Sequence, residues 1–269
     1  MKQQILPDTK IRSICLHHFY ESLTCFSVLP DVEVTSSDTL IQVISPDIPN
    51  WLTNAVFKIN LEPEDIEQQI DSITTNYRTK QVAPFWRICP DDYPTNIDHQ
   101  LLAAGYEKKT QHILMSIQID TMGLVPTSSI NTRLEVITSA SALHEKHLSF
   151  RQIDDNGSKS FTTLMRDLFD FHGYEQDSRW LHYVALQGDK PIGYASAFYT
   201  ANAVGIYNVG VIPEARRKGI ATALTIQALQ DARERGYKIG TLQSSEMAHS
   251  MYKKIGFETH FPIQYFAPA

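Results

Sequence analysis

Cysteine is scarce in this 269-residue chain: Cys15, Cys25 and Cys89 are odd in number and show no metal-ligand spacing. That argues against a disulfide framework and suits a reducing cytoplasm. Long apolar runs are missing too, so no segment is expected to span a bilayer, and Met1 to Asp8 has no signal-peptide core. Basic charge is in deficit, with 24 Lys and Arg against 30 Asp and Glu, a net charge of −6. No global field would draw such a protein to nucleic acid or anionic lipid. Neither a Gly-Lys-Ser/Thr phosphate loop nor a Gly-x-Gly-x-x-Gly dinucleotide turn occurs, which ranks nucleotide binding low. No metal site is expected either: the adjacent His17 and His18 diverge on a helix, and His144 and His147 lack the spacing of a zinc protease.

What is present centres on residues 206–222. Ile206 to Ile212 is a short, β-branched apolar run that reads as a buried strand, ended by Pro213, which has no N–H for a ladder. A basic turn follows, Arg216-Arg217-Lys218-Gly219, and then Ile220, Ala221, Leu224, Ala228, Leu229 and Ala232 recur at helical spacing up to Gly236. The first turn of a helix carries unpartnered N–H groups and the positive end of the peptide dipole, so anions bind there. Gly219 lets a ligand approach the backbone, and three cations add charge that a diphosphate would neutralise. Without an anion each of those cations opposes the dipole by roughly 0.3–1 kcal/mol. The unfavourable placement favours a ligand.

The pattern Val211-x-Pro213-x-x-Arg216-x-x-Gly219-x-Ala221 resembles the acyl-CoA-binding motif of the GNAT acetyltransferase superfamily, Arg/Gln-x-x-Gly-x-Gly/Ala. Downstream, Ala248 to Glu258, with Tyr252 followed by Gly256-Phe257, resembles the family's second signature. The resemblance implies an acyl-CoA, most simply acetyl-CoA, and transfer of its acyl group to an amine of a small molecule or peptide. By the same resemblance the diphosphate rests on the turn made by Arg216, Arg217, Lys218, Gly219, Ile220, Ala221 and Thr222. Val209, Gly210 and Val211 offer strand-edge groups to the pantetheine arm, and Ser245 stands where the family has asparagine. Tyr252 is the implied proton donor to the departing thiolate. The general base is not implied, because Ile206-Tyr207-Asn208-Val209 holds no carboxylate. Glu175, Asp177, His172 and His182 are candidates beside water-mediated catalysis in which Tyr207 or Asn208 orients the water.

The order of elements suggests two copies of one plan. Ala55 to Ile59 reads as a strand, Pro63 to Tyr77 as a helix, Phe85 to Ile88 as a strand, Pro94 to Leu102 as a helix, and His112 to Ile119 as a strand. From Ala203 a strand, a helix to Gly236, a strand at 239–242 and a helix through Met251 repeat it, and Asn54-Ala55-Val56 recurs as Asn202-Ala203-Val204. The fold expected is α/β: two GNAT-like domains, residues 1–122 and 131–269, each a mixed, mostly antiparallel sheet flanked by helices. Residues 121–129 form the expected linker. Before these elements, a helix is expected over 9–26, with strands at 32–34 and 40–44; in the second copy Leu134 to Ile137, Ser141 to Leu148 and Lys159 to Phe169 read as strand, helix and helix. A hairpin turn at Gly188-Asp189 joins two more strands.

The first copy lacks the chemistry, since Leu61-Glu62-Pro63-Glu64-Asp65 has three carboxylates and no glycine where the second has its basic turn. It reads as a degenerate domain. The acceptor would be bound near 149–179, where Phe150, Phe171, Tyr174 and Trp180 mix with Asp154, Asp155, Asp170, Glu175 and Asp177. A non-catalytic acyl-CoA-binding or partner-binding module is the alternative of a different class.

Overall fold

The computed structural model describes residues 7–48, 50–123, 132–147 and 161–269, and the chain divides into two compact units. The major unit comprises Met1–Phe19, Leu114–Asp155 and Met165–His260; the minor unit comprises Tyr20–Ile113, Asn156–Leu164 and Phe261–Ala269.

In chain order the elements are α1 (Asp8–Thr24), β1 (Glu33–Ser36), β2 (Ile41–Ile44), β3 (Ala55–Phe57), α2 (Ile66–Thr79), β4 (Phe85–Ile88), α3 (Ile97–Ala103) and β5 (Tyr106–Gln118). There follow β6 (Arg133–Ile137), α4 (Ala140–His147), α5 (Phe161–His172), β7 (Trp180–Gln187), β8 (Lys190–Tyr199) and β9 (Val204–Val211). The last are α6 (Ile220–Glu234), β10 (Ile239–Ser244), α7 (Glu246–Ile255) and β11 (Glu258–Pro268). The class is the one expected, mixed α/β with mostly antiparallel pairing.

The major unit orders its strands β5-β10-β9-β8-β7-β6. β6, β7, β8 and β9 are antiparallel neighbours, the β7–β8 hairpin turning at Gly188-Asp189 with Gly188 at φ 60°, and β9 and β10 run parallel. β7 and β8 are buried along nearly their whole length, with Phe169 of α5 against Trp180 and His182 and with Ile220 and Leu224 of α6 against Gly193. Fully burying such a side chain contributes roughly 1.5–3 kcal/mol. On α5 the side chains of Leu164, Met165, Leu168 and Phe169 are buried, whereas Phe171 is 61% exposed.

The minor unit orders its strands β1-β2-β3-β4-β11-β5, and β3 and β4 run parallel. Its core gathers Ile44, Val56, Ile70, Tyr77, Trp86, Leu101 and Phe266. The Tyr77 hydroxyl lies 3.0 and 2.9 Å from the carbonyls of Val43 and Ala55, which satisfies the polar tip of a fully buried ring.

Two strands depart from the sequence reading. β5 begins at Tyr106 rather than His112, and its residues 107–111 are exposed. Glu107, Lys108, Lys109, Thr110 and Gln111 are all polar and leave no apolar alternation to read. β11 has no counterpart in the reading at all. Its burial alternates only in part, and what fixes it is pairing with β4, Gln264 opposite Ile88 and Phe266 opposite Trp86. Most of the expected linker, and Phe150, Asp154 and Asp155, lie outside the described residues.

Candidate functional site

The turn between β9 and α6 carries the residues expected to meet an anion. A short 3-10 turn, Pro213–Ala215, is followed by Arg216 in extended backbone, Arg217 at φ 61° and Gly219 at φ 81°. Gly219 is the N-cap of α6 and its left-handed φ is one that side-chain-bearing residues rarely adopt. Having no side chain, it caps nothing; its carbonyl accepts from Ala223 N at 2.9 Å while the N–H groups of the first turn keep no side-chain acceptor. No acidic residue sits in that turn. Ile220 is buried as the anchor of the helix, and Ala221 and Thr222 are half-buried.

The cations around the turn are partly committed to holding it. Arg216 donates from Nε to the carbonyl of Val211 (3.1 Å), and Lys218 from Nζ to the carbonyl of Glu214 (2.9 Å). Arg217 is exposed. All three stand within four residues of the first helical residue, Ile220, where positive charge is unfavourable without an anion.

β9 supplies the second part of the site. It pairs with β10 only at Val204 with Gly240 and at Gly205 with Thr241, so beyond Gly205 the two parallel strands separate. On its other edge β9 carries a bulge: Tyr207 faces Ser196 and Gly210 faces Tyr194, leaving Asn208 and Val209 opposite Ala195 alone, with Asn208 at φ 53°. The half-buried Val209, Gly210 and Val211 therefore lie on a strand edge open toward β10. An amide-rich arm can pair with such an edge as an added strand.

Tyr252 lies on α7, buried, with its ring 5.6 Å from that of Phe257 in an edge-on arrangement. Burial pushes its phenol up to about 12, so it holds its proton throughout the neutral range. α7 stops at Gly256, whose φ of 114° turns the chain into β11. Ser245 is the N-cap of α7 but makes no capping bond through its side chain. The candidate bases are dispersed. Glu175 and Asp177 are exposed, His172 is half-buried with its basicity lowered by burial and by Arg179, and His182 is buried on β7. The Nδ1 of His182 lies 2.7 Å from the Tyr194 hydroxyl and 3.2 Å from Ser196 Oγ, inside the sheet's packing.

One group was missed by the sequence reading, which gave His18 no role beyond structure. His18 is buried against β8 and β9, its ring stacked on Tyr207 at 5.9 Å and edge-on to Phe198 at 5.5 Å. Trp180 stacks on Phe198 at 4.6 Å and tilts against Tyr207 at 5.9 Å, and Phe169 lies 4.0 Å from the ring of His182. No spacing in the sequence links position 18 to position 207.

The corresponding junction of the minor unit is closed. There β3 is followed by the 3-10 turn Pro63–Asp65, and α2 starts at once at Ile66, so the four-residue basic turn is missing rather than replaced. Glu64, Asp65 and Glu67 occupy the helix start. Past the paired residues Val56 and Trp86, the split between β3 and β4 is zipped shut: Ile59 N donates to Asp92 Oδ1 (2.9 Å), Tyr93 N to Ile59 O (2.9 Å) and Leu61 N to Tyr93 O (2.9 Å).

Residues 144–257 match the model of the acetyltransferase (GNAT) family, so a GNAT domain occupies that stretch. No curated protein sequence matches the chain. Among solved structures it is similar to a GCN5-related N-acetyltransferase from Kribbella flavida, with a TM-score of 0.73 and 14% identity over 95% of both chains. It is also similar to a tandem GNAT protein from the clavulanic acid biosynthesis pathway, with a TM-score of 0.62 and 12% identity over 88% of this chain and 83% of that one. A GCN5-related N-acetyltransferase from Sphaerobacter thermophilus gives a TM-score of 0.59 and 17% identity over 86% and 80%. The fold is thus that of GNAT acetyltransferases, including a tandem one. Among the described residues no helix is long and apolar enough to cross a membrane.

Proposed function

We propose that this protein is an acetyl-CoA-dependent N-acetyltransferase acting on an amine, with its chemistry in residues 131–269 and a degenerate copy of the fold in residues 1–122. The observation that carries the reading is the β9–α6 junction: a glycine N-cap without a side-chain acceptor, beside Arg216, Arg217 and Lys218, next to a strand edge that has left its partner. Three buried free cysteines fit a cytoplasmic protein.

The donor, when bound, supplies a thioester carbonyl for the amine to attack and a thiolate that leaves. The N–H groups from Arg217 to Thr222 would hold its diphosphate, and the edge at Val209–Val211 would hold its amide-rich arm. Ser245, at the N-terminus of α7, would add one hydroxyl contact. Tyr252 keeps its proton because burial makes a tyrosinate costly. It therefore serves best as a hydrogen-bond donor to the departing sulfur, and a positioned acid of this kind contributes on the order of 10²–10⁴ in rate. Val211 N–H would meet the oxyanion.

Calorimetric titration with acetyl-CoA, followed by thiol release against a panel of amines, tests the reading. Micromolar binding and turnover are expected; failure to bind acetyl-CoA would sink it. A non-catalytic acyl-CoA-binding module is favoured by one observation, that β9 holds no carboxylate. Binding with no amine turned over would select that module.

A further inference from the structure

Tyr207 on β9 does more than pack. It is half-buried at the residue before the β9 bulge, and its hydroxyl lies 3.2 Å from Nδ1 of His18 on α1. The other nitrogen of that imidazole, Nε2, lies 3.0 Å from the carbonyl oxygen of Phe198 on β8. A carbonyl only accepts, so Nε2 carries the hydrogen and Nδ1 of the neutral ring carries a lone pair. The Tyr207 hydroxyl must then be the donor to Nδ1. Direction runs one way along the chain: Tyr207 O–H to His18 Nδ1, His18 Nε2–H to Phe198 carbonyl.

The fold is cut to admit this ring. A Cβ built on Gly205 would collide with the His18 ring and with the Tyr207 ring, so only glycine at that position lets the imidazole lie against the β9 backbone. Gly205 is also the last residue of β9 paired with β10, so the imidazole is seated where the strands begin to part. Burial pushes His18 down to about 4, with Arg179 adding to the effect, and the ring is neutral at physiological pH.

We propose that His18 is a positioning residue for acyl transfer: by taking the Tyr207 hydroxyl hydrogen it leaves the Tyr207 oxygen able only to accept, and so orients the acceptor amine through an N–H. An amine held that way keeps its nitrogen lone pair free for the thioester carbon, whereas a hydroxyl free to rotate would also donate into that lone pair and block it. Tyr207 neither gives nor takes a proton in this arrangement. The inference rests on the acetyltransferase reading and assigns to the strand without a carboxylate an orienting group in place of a base.

Paired substitutions separate this role from packing. In His18→Asn the side-chain oxygen falls near Nδ1 and can still accept from Tyr207; in His18→Gln the amide falls near Nε2 and keeps only the Phe198 contact. The full-length protein would be assayed with acetyl-CoA and the best amine of the panel, beside calorimetry with acetyl-CoA, thermal unfolding, and ¹⁵N shifts of labelled histidine. Tyr207→Phe is expected to lower kcat/KM for the amine about tenfold, the scale of one lost hydrogen bond, with acetyl-CoA affinity unchanged. His18→Gln should match that loss, His18→Asn should recover most of it, and His18→Gln combined with Tyr207→Phe should be no worse than either alone. Equal losses in the two His18 variants at equal stability, or additive losses in the double variant, would overturn the inference. So would a protonated Nδ1 in the wild type at neutral pH, whatever the protein transfers. A wild type that does not bind acetyl-CoA would instead overturn the function beneath it, and the histidine shifts distinguish the two failures.

Discussion

The two units place the same construction, a strand, a Pro-Glu turn and a helix, at the same point of their sheets and leave it in opposite states. After Pro213-Glu214-Ala215 the major unit inserts Arg216 to Gly219 before α6; after Pro63-Glu64-Asp65 the minor unit passes directly into α2. In the major unit the parallel strands part after one pair of contacts beyond Val204. In the minor unit the Asp92 carboxylate and the Tyr93 backbone fill the corresponding split with hydrogen bonds. A site of this type needs both an uncapped helix start and an unpaired strand edge. The minor unit has satisfied both internally, with carboxylates at the helix and its own chain at the edge, and satisfied groups have nothing left to offer a ligand.

The largest effect is expected when the major unit is cut out along the sequence. Expression of residues 131–269 alone removes residues 114–118 of β5, the neighbour of β10, and also the part of α1 that carries His18. Circular dichroism and size exclusion should find that fragment unfolded or aggregated, since β10 loses its outer partner; a monomeric, cooperatively melting fragment would contradict the shared use of β5. Next in size is Gly219→Glu, which puts a carboxylate into the turn before α6 and a side chain on a left-handed backbone. Calorimetry should record a loss of acetyl-CoA affinity of about 10³-fold, on the scale of several charge-assisted contacts. The variant makes the major unit's helix start resemble the acidic start of α2.

Tyr252→Phe should lower kcat by about 10²-fold with little change in acetyl-CoA binding, the signature of a group used mainly in the transition state. An unchanged kcat would remove the proton-donor role.

Acid titration separates the units by sign. His18, neutral in the folded state down to about pH 4, lets the unfolded chain take up its proton first. Its contribution is fully present above about pH 6.5 and lost as pH falls through the folded value, ~3 kcal/mol in all and at most about 1.4 kcal/mol per pH unit. The groups facing it are the Phe198 carbonyl, the Tyr207 hydroxyl and the Arg179 guanidinium. Asp92 in the minor unit runs the other way. Burial, with a smaller push from Asp91, raises its carboxyl to about 7 against the hydrogen bonds it accepts from Cys89 N and Ile59 N. Its contribution is present at low pH and lost as pH rises through 7. Denaturant unfolding from pH 4 to 7.5 should show the slope of stability against pH moved in the negative direction in His18→Asn and in the positive direction in Asp92→Asn. Identical slopes in all three proteins would remove the contrast.

Much of the architecture was legible from one dimension. β4 runs Phe85–Ile88 as read, and α2, α6 and α7 fall within a few residues of their expected bounds, because apolar spacing, proline and glycine act locally. The candidate donor site was legible for the same reason, since the motif from Val211 to Ala221 is contiguous. The candidate bases were not, as residue type alone could not tell the buried, internally bonded His182 from the exposed Glu175.

What depends on neighbours along the chain is encoded locally: the strand, the basic glycine turn, the helix after it, Tyr252 ahead of Gly256-Phe257, and the acidic stretch Glu62 to Asp65. The tertiary structure alone decided which strands lie beside which, so that β5 and β11 were misread or missed, and it alone brought His18 to Tyr207 across 189 positions. Hydrogen bonds between strands and a ring seated over a glycine are set by packing geometry, and no local spacing encodes them.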